Sequence, residues 1–167
     1  MKGTIKVIDK DRGWKFLKSR LQRLDEQGVD IGYWGEDKYP PRPDDGPNAK
    51  VQTVVNVAVM NELGTERAPA RPFMRQTFRT NFENLNQAIR VLYYQMIANP
   101  AVSPDSLLRR LGSAYRKDMQ RTIADAKSWA VPNAPATVKK KGHDSPLLER
   151  YRMIARIKMR LGRRIDR

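Results

Sequence analysis

Cysteine is absent from the 167 residues, and histidine occurs once, as His143. The first absence excludes disulfide frameworks, thiol nucleophiles and thiolate metal sites together, and is compatible with a reducing cytoplasm. The second leaves no histidine pair at metal-ligand spacing and no motif that sets a base beside a nucleophile. His143 stands next to Gly142 in a basic stretch and reads as a surface side chain. No glycine-rich phosphate loop follows a strand, and Asp118 and Asp125, seven apart on one expected helix, read as solvent charges. Neither a catalytic set nor a cofactor or metal site is therefore expected. Long apolar runs are also missing. Nothing approaches the roughly 20 residues of a membrane span, and the opening MKGTIKVIDK is too polar for a signal peptide. The expectation is a soluble protein made in the cytoplasm, with no membrane partner.

Acidic residues are scarce as well, 18 against 33 basic ones, for a net charge of +15. Their distribution matters more than the total. Residues 1–50 hold 11 basic and 9 acidic groups, whereas residues 139–167 hold 11 and 3, more than half of the whole excess. Such a field attracts polyanions, nucleic acid or an acidic protein surface, in a salt-dependent way. The alternative is a solvated basic face that serves solubility. A chain of this length suits a single domain, 1–167, with one core.

Periodicity divides the chain. Ile5 and Val7 within Thr4 to Ile8 suit an edge strand, and Trp14, Leu17, Leu21 and Leu24 recur at helical steps up to Gly28. Val29, Ile31 and Tyr33 then alternate as a half-buried strand closed by Gly35. Residues 36–50, EDKYPPRPDDGPNAK, carry four prolines and predict a long loop that orders against a partner or stays solvated. Asp44 and Asp45 there lack converging ligands for a metal.

Val51, Val54, Val55, Ala58, Val59 and Leu63 follow at helical spacing and predict a helix with one aliphatic face. Gly64 stops it, and Pro69 and Pro72 forbid its continuation, so the chain is expected to leave as an extended arm. Arg71 is held out of the helical region by Pro72, which itself suits the first turn of a new helix anchored by Phe73 and Met74. Glu62 is the sharpest acidic candidate. It is expected to accept a bond from Arg71 or from the backbone of the arm, a structural role preferred to acid-base chemistry.

Phe78, Phe82, Leu85, Ile89, Leu92 and Met96 mark the stripe of a long helix, read as core packing in preference to helix pairing. Ser103 as cap, Pro104 in the first turn and Asp105 near the positive end of the dipole start the next helix. Leu108, Leu111, Tyr115, Met119, Ile123 and Ala126 carry it to about Ser128. Residues 129–146 form a second expected loop, with Lys139, Lys140 and Lys141 at its tip. Met153, Ala155, Ile157, Met159 and Leu161 then alternate with Ile154, Arg156, Lys158 and Arg160, Ile154 being the one apolar outward position, as a basic C-terminal strand and tail, whose cations either bind a ligand or protect an edge from mispairing. The fold class read from these patterns is α+β: a mostly antiparallel sheet of three to four strands packed with several helices, with two long loops.

The run Asn61, Glu62, Leu63, Gly64, Thr65, Ala68, Pro69, Ala70, Arg71, Pro72, Phe73 looks like the "NE-hydrophobic-GT … PARPF" signature of the tail-completion, or head-tail joining, proteins of long-tailed bacteriophages. A second segment, Trp129, Pro132, Asn133, Thr137, Lys141, Gly142, Pro146, Leu147 and Leu148, resembles that family's "W … N … T … KG … PL" pattern. Where the family continues with a threonine-glycine pair and a terminal strand, this chain has Glu149, Arg150 and Tyr151. The resemblance implies a structural virion protein of the neck or upper tail, assembled in the host bacterial cytoplasm. Its copies would form a ring, sixfold by expectation, that completes the tail against terminator or tube proteins and meets the head connector or adaptor. Glu62, Gly64, Pro69, Arg71, Pro72, Phe73, Trp129, Pro146 and Leu147 become structural or interface candidates, and the loops and the arm would reach to neighbours. A different class remains open: a nonspecific DNA-binding protein of genome packaging or retention, using Lys139, Lys140, Lys141, Arg156, Lys158 and Arg160 on phosphates. An enzyme would have to rely on Glu62 or His143.

Overall fold

Asp11 starts the first helix. In the computed structural model, which describes residues 11, 13–35, 37–39, 51–148 and 152–163, its carboxylate accepts the amides of Gly13 and Trp14 at 3.0 and 2.6 Å. Those are donors that a helix start leaves orphaned. Helix α1 (Trp14–Glu26) half-buries Leu17, Leu21 and Leu24, as their spacing requires, whereas Trp14 is left exposed. Its one buried side chain is charged. Arg20 donates to the carbonyls of Pro100 at 3.0 Å, Asn99 at 3.4 Å and Val102. These oxygens surround the end of a long helix, where acceptors lack partners, and a guanidinium fork supplies donors in one plane.

Strand β1 (Gln27–Gly32) continues from α1 and pairs antiparallel with β2 (Lys158–Arg163), Ile31 opposite Met159 and Asp30 opposite Arg160. Between them in sequence lie α2 (Val54–Leu63), α3 (Phe73–Ala98), α4 (Pro104–Ala124), α5 (Ala126–Trp129), α6 (Pro135–Lys141) and α7 (Arg152–Ala155). The architecture is α+β, and among the described residues the sheet has these two strands. The strand expected at Thr4 to Ile8 and most of the 36–50 loop lie outside the described residues, as do residues 164–167. No helix among those described is long and apolar enough to cross a membrane.

Helix α4 is the beam on which the rest rests. Ser103 caps it, its hydroxyl accepting the Ser106 amide at 3.2 Å, and Pro104 opens the first turn. At Gly112 the helix passes so close to the sheet that an added Cβ would stand 2.4 Å from Val29 Cγ1 and 2.6 Å from Met159 Sδ. Only glycine admits that approach. Helix α3 runs antiparallel along α4, joined to it by the short turn that Arg20 braces. Ala58, Phe73, Met119, Ile123, Ala126, Leu147, Met153 and Ile157 form the buried cluster where α2, α3, α4 and the C-terminal segments meet.

Four expectations change here. On α2, Val54 and Ala58 are buried, but Val59 and Leu63 are exposed, as is Val51 ahead of the helix. The sequence VVNVAVMNEL is apolar nearly all round, so its periodicity cannot choose a face. On α3, Phe73 and Thr77 are fully buried and set the helix rotation, which turns Phe78 and Phe82 outward. The 129–146 segment contains α6, so Lys139 to Lys141 occupy the last turn of a helix, where cations suit the negative end of the dipole. Finally, residues 152–155 are helical, and Met153 and Ile157, four apart, are both buried; the terminal strand begins only at Lys158.

Candidate functional site

The residues singled out by sequence converge where α2 ends. Thr53 caps α2, accepting the Asn56 amide at 3.1 Å. Gly64 ends it with φ 79° and ψ 177°, a conformation closed to side chains beyond glycine. Thr65 and Ala68 then bond each other, Thr65 N–H to Ala68 O at 2.8 Å, and reverse the chain. The expected arm therefore does not extend. It folds back on α2, the Arg71 amide donating to Asn61 O at 2.6 Å. Pro72 lies at φ −75° and ψ 73°, with Phe73 N–H bonded to Arg71 O at 2.8 Å, an inverse γ-turn that aims the chain into α3.

Glu62 caps that helix from outside. Its carboxylate accepts the amides of Met74 at 2.9 Å and Arg75 at 3.3 Å, and pairs with Arg75 Nε at 3.2 Å. The expected partners, Arg71 and the backbone of the arm, are not the ones Glu62 takes: its side-chain partner is Arg75, and the amides belong to the first turn of α3. An anion there satisfies orphan donors and complements the dipole. Replacing Glu62 by alanine is expected to cost about 1 to 2 kcal/mol of stability, the range for losing a helix cap, with glutamine recovering part of it. Urea unfolding of the three proteins reads this directly.

Arg71 takes a different partner. Its Nε and Nη2 donate to the carbonyls of Val131 at 2.8 Å and Pro132 at 3.0 Å. Partial burial lowers its pKa and the nearby Asp144 charge opposes the effect. Asp144 also accepts the Asn133 amide at 3.2 Å. The segment is anchored further by Trp129, whose Nε1 donates to Thr122 O at 2.9 Å. Phe73 lies at the centre, fully buried, with the Tyr33 ring edge-on at 6.2 Å. Burial raises the Tyr33 hydroxyl above its ordinary range. Pro146 and Leu147 are buried too, Leu147 in the same core cluster as Phe73 and at a positive φ of 62°. Arg71 is thus the tie between the two sequence segments that were singled out separately.

This junction is a scaffold. His143 Nδ1 accepts the Ser145 amide at 3.3 Å in an exposed local turn. Among the described residues no three histidine or acidic side chains gather as metal ligands.

The strand cations are engaged within the chain. Arg156 and Lys158 both reach Asp37, at 3.0 and 2.6 Å, and the Arg160 guanidinium lies 4.3 Å from the Trp34 ring centroid. Lys141 donates to Ser145 O at 3.0 Å, leaving Lys139 and Lys140 exposed on α6. The hydrogen bond from Lys158, with the charges of Lys158 and Arg156, holds the Asp37 carboxyl below its ordinary range against the opposing pull of desolvation. A carboxyl depressed on folding stabilises the protein above its unfolded pKa, near 3.9, and that contribution is lost as pH falls through the folded value. Thermal unfolding from neutral pH into acid should therefore show the advantage of wild type over Asp37→Asn shrinking below about pH 4.

Beside the scaffold, α3 presents an uncovered apolar row. Phe78 and Phe82 stack edge-to-face at 5.4 Å, 48% and 43% exposed, and Tyr93 and Ile97 are exposed on the same face about three turns further along. At 100° per residue these four fall within about a third of the helix circumference. Sequence spacing had placed the two phenylalanines in the core; their exposure becomes visible only once Phe73 and Thr77 set the rotation. Compared with protein-family models, curated proteins and solved structures, the chain matches none.

Proposed function

We propose that the protein is a structural component of the neck or upper tail of a long-tailed bacteriophage. Its copies form a ring, sixfold in this reading, that completes the tail and joins it to the head connector or adaptor. It assembles in the bacterial cytoplasm and resides in the virion. It acts by docking, without catalysis or a cofactor. The observation that carries this reading is the row Phe78, Phe82, Tyr93 and Ile97 on α3, large apolar side chains left to water on a strongly charged protein. Large apolar side chains grouped in this way on one helix face belong to association. Support comes also from the resemblance of the Asn61 to Phe73 and Trp129 to Leu148 segments to tail-completion proteins, and from Arg71, which ties the two together. The Pro69 to Phe73 arm is held against its own chain, so the α3 row takes the part of the neighbour contact.

Electron microscopy of particles assembled without the protein tests this. Separate heads and tails are expected, joined when purified protein is added and still separate when the addition is a folded Phe78→Glu, Phe82→Glu protein. Particles already joined in its absence overturn the joining role. The DNA-binding alternative is less favoured, since three of its six cations are engaged within the chain, Arg156 and Lys158 at Asp37 and Arg160 at Trp34.

A further inference from the structure

Between α3 and α4 runs a cleft of about 630 Å³. Its floor is apolar, from Val91, Leu92 and Leu111, with Ala114 small enough to leave the centre open. One wall is cationic. Arg110, Lys117 and Arg121 lie seven and four residues apart on α4, so they line up within about 40° of one another at steps of roughly 10 and 6 Å. Arg109 adds a fourth cation, and the single carboxylate in the cleft, Asp118, is already bonded to Arg121 at 3.3 Å. Lys117 is exposed and has no hydrogen-bond or carboxylate partner among the described residues. A second cleft of about 300 Å³, sharing Asp118 and Arg121, carries the depression on along the same two helices to Trp129. Together they make an elongated groove of roughly 24 Å, from Arg109 to the Asp125 that ends α4; the Asp125 carboxylate is a second one, at the far end, and accepts from the Ser128 hydroxyl at 2.9 Å.

We infer that this groove receives an amphipathic helix of another protein, apolar on the face it buries and acidic along the edge that meets Arg110, Lys117 and Arg121. The length suits about sixteen residues of helix, and a helix laid in a groove is recognised through anchors on one face. Charge decides against other occupants. Among the described helices of a second copy, none longer than ten residues carries more acidic than basic side chains, so none brings an acidic flank to a basic wall. A nucleic-acid backbone would satisfy the cations but leave phosphates over Val91, Leu92 and Leu111, where they lose water without a partner. The inference stands on the groove alone, independent of the neck reading.

The test uses the whole purified protein and a labelled synthetic helix of about eighteen residues, leucine on one face and glutamate along its flanks, with a copy bearing lysine for glutamate and a short DNA duplex as competitors. Amide chemical shifts locate the binding, and fluorescence anisotropy measures it. The acidic helix is expected to shift residues of α3 and α4 lining the groove, and to bind at least about tenfold more tightly than the lysine copy. Lys117→Glu should weaken it by a similar factor with the melting midpoint unchanged, and Ala114→Trp should block it without altering charge. Equal binding of both peptides, shifts elsewhere, no binding at millimolar peptide, or a duplex that displaces the peptide and loses affinity in Lys117→Glu would each overturn the assignment. None of these outcomes bears on whether heads and tails are joined.

Discussion

Replacing Phe73 by alanine is expected to remove about 3 to 5 kcal/mol of stability, the range for truncating a fully buried aromatic. At roughly 2 to 4 °C per kcal/mol for a chain of this size, the thermal midpoint should fall by about 6 to 20 °C. The magnitude follows from position. Phe73 is entirely buried and touches a cluster drawn from α2, α4, α5 and the segments around Leu147 and Met153. Its loss leaves the Tyr33 ring without its edge-on partner and opens a cavity that many elements would have to move to fill. The neighbouring backbone cannot collapse inward. The Pro72 turn and the Glu62 cap hold the start of α3, and the Thr77 hydroxyl donates to Phe73 O at 2.7 Å. Calorimetry of Phe73→Ala beside Phe73→Leu separates the two costs, leucine keeping most of the buried surface. A midpoint for Phe73→Ala indistinguishable from wild type would remove Phe73 from the centre of the fold.

Gly64→Ala is expected to cost about 4 kcal/mol, from two contributions that a single methyl brings at once. The backbone lies at φ 79° and ψ 177°, a region that costs a side-chain residue about 1 to 3 kcal/mol. The new Cβ would also stand 2.8 Å from Ala70 N and 3.2 Å from Ala68 O. Those are backbone atoms, pinned by the Thr65 and Ala68 bonds and by the Arg71 amide on Asn61, so they cannot swing aside as a side-chain tip would. Overpacking of that kind adds about 1 to 3 kcal/mol. Gly142→Ala is the internal comparison. It too has positive φ, 75°, but nothing lies within 4 Å of an added Cβ, and its cost should be the left-handed penalty alone, about 1 to 2 kcal/mol. Equal losses at the two glycines would show that the close approach of residues 68–70 has no energetic weight.

The scaffold's parts were legible in the sequence because each carries a local signature. Glycine after an apolar run, proline immediately before a new helix, an acid at the end of α2 and a lone phenylalanine after Arg-Pro all act within a few residues. Their partners were not legible. Arg71 reaches carbonyls 60 and 61 residues away, and Arg20 reaches Pro100 across 80. A backbone carbonyl has no side-chain identity, so no pattern in the sequence announces it. Gly112 had a faint signal, a glycine inside a helical stripe, which marks a packing contact when nothing else explains it.

By itself the sequence determined the existence and order of the long helices, the Ser103 cap, the Gly64 stop and the α+β class, since spacing and capping are short-range. Tertiary structure alone decided which face of α2 and α3 is buried, that the chain after Gly64 folds back, that residues 152–155 are helical and that the strand cations face Asp37 and Trp34. Each of these is a choice between locally equivalent states. An all-apolar helix can bury any face, and a short alternating run suits helix or strand. The choice falls to contacts between residues far apart in the chain, whose energies no single segment contains.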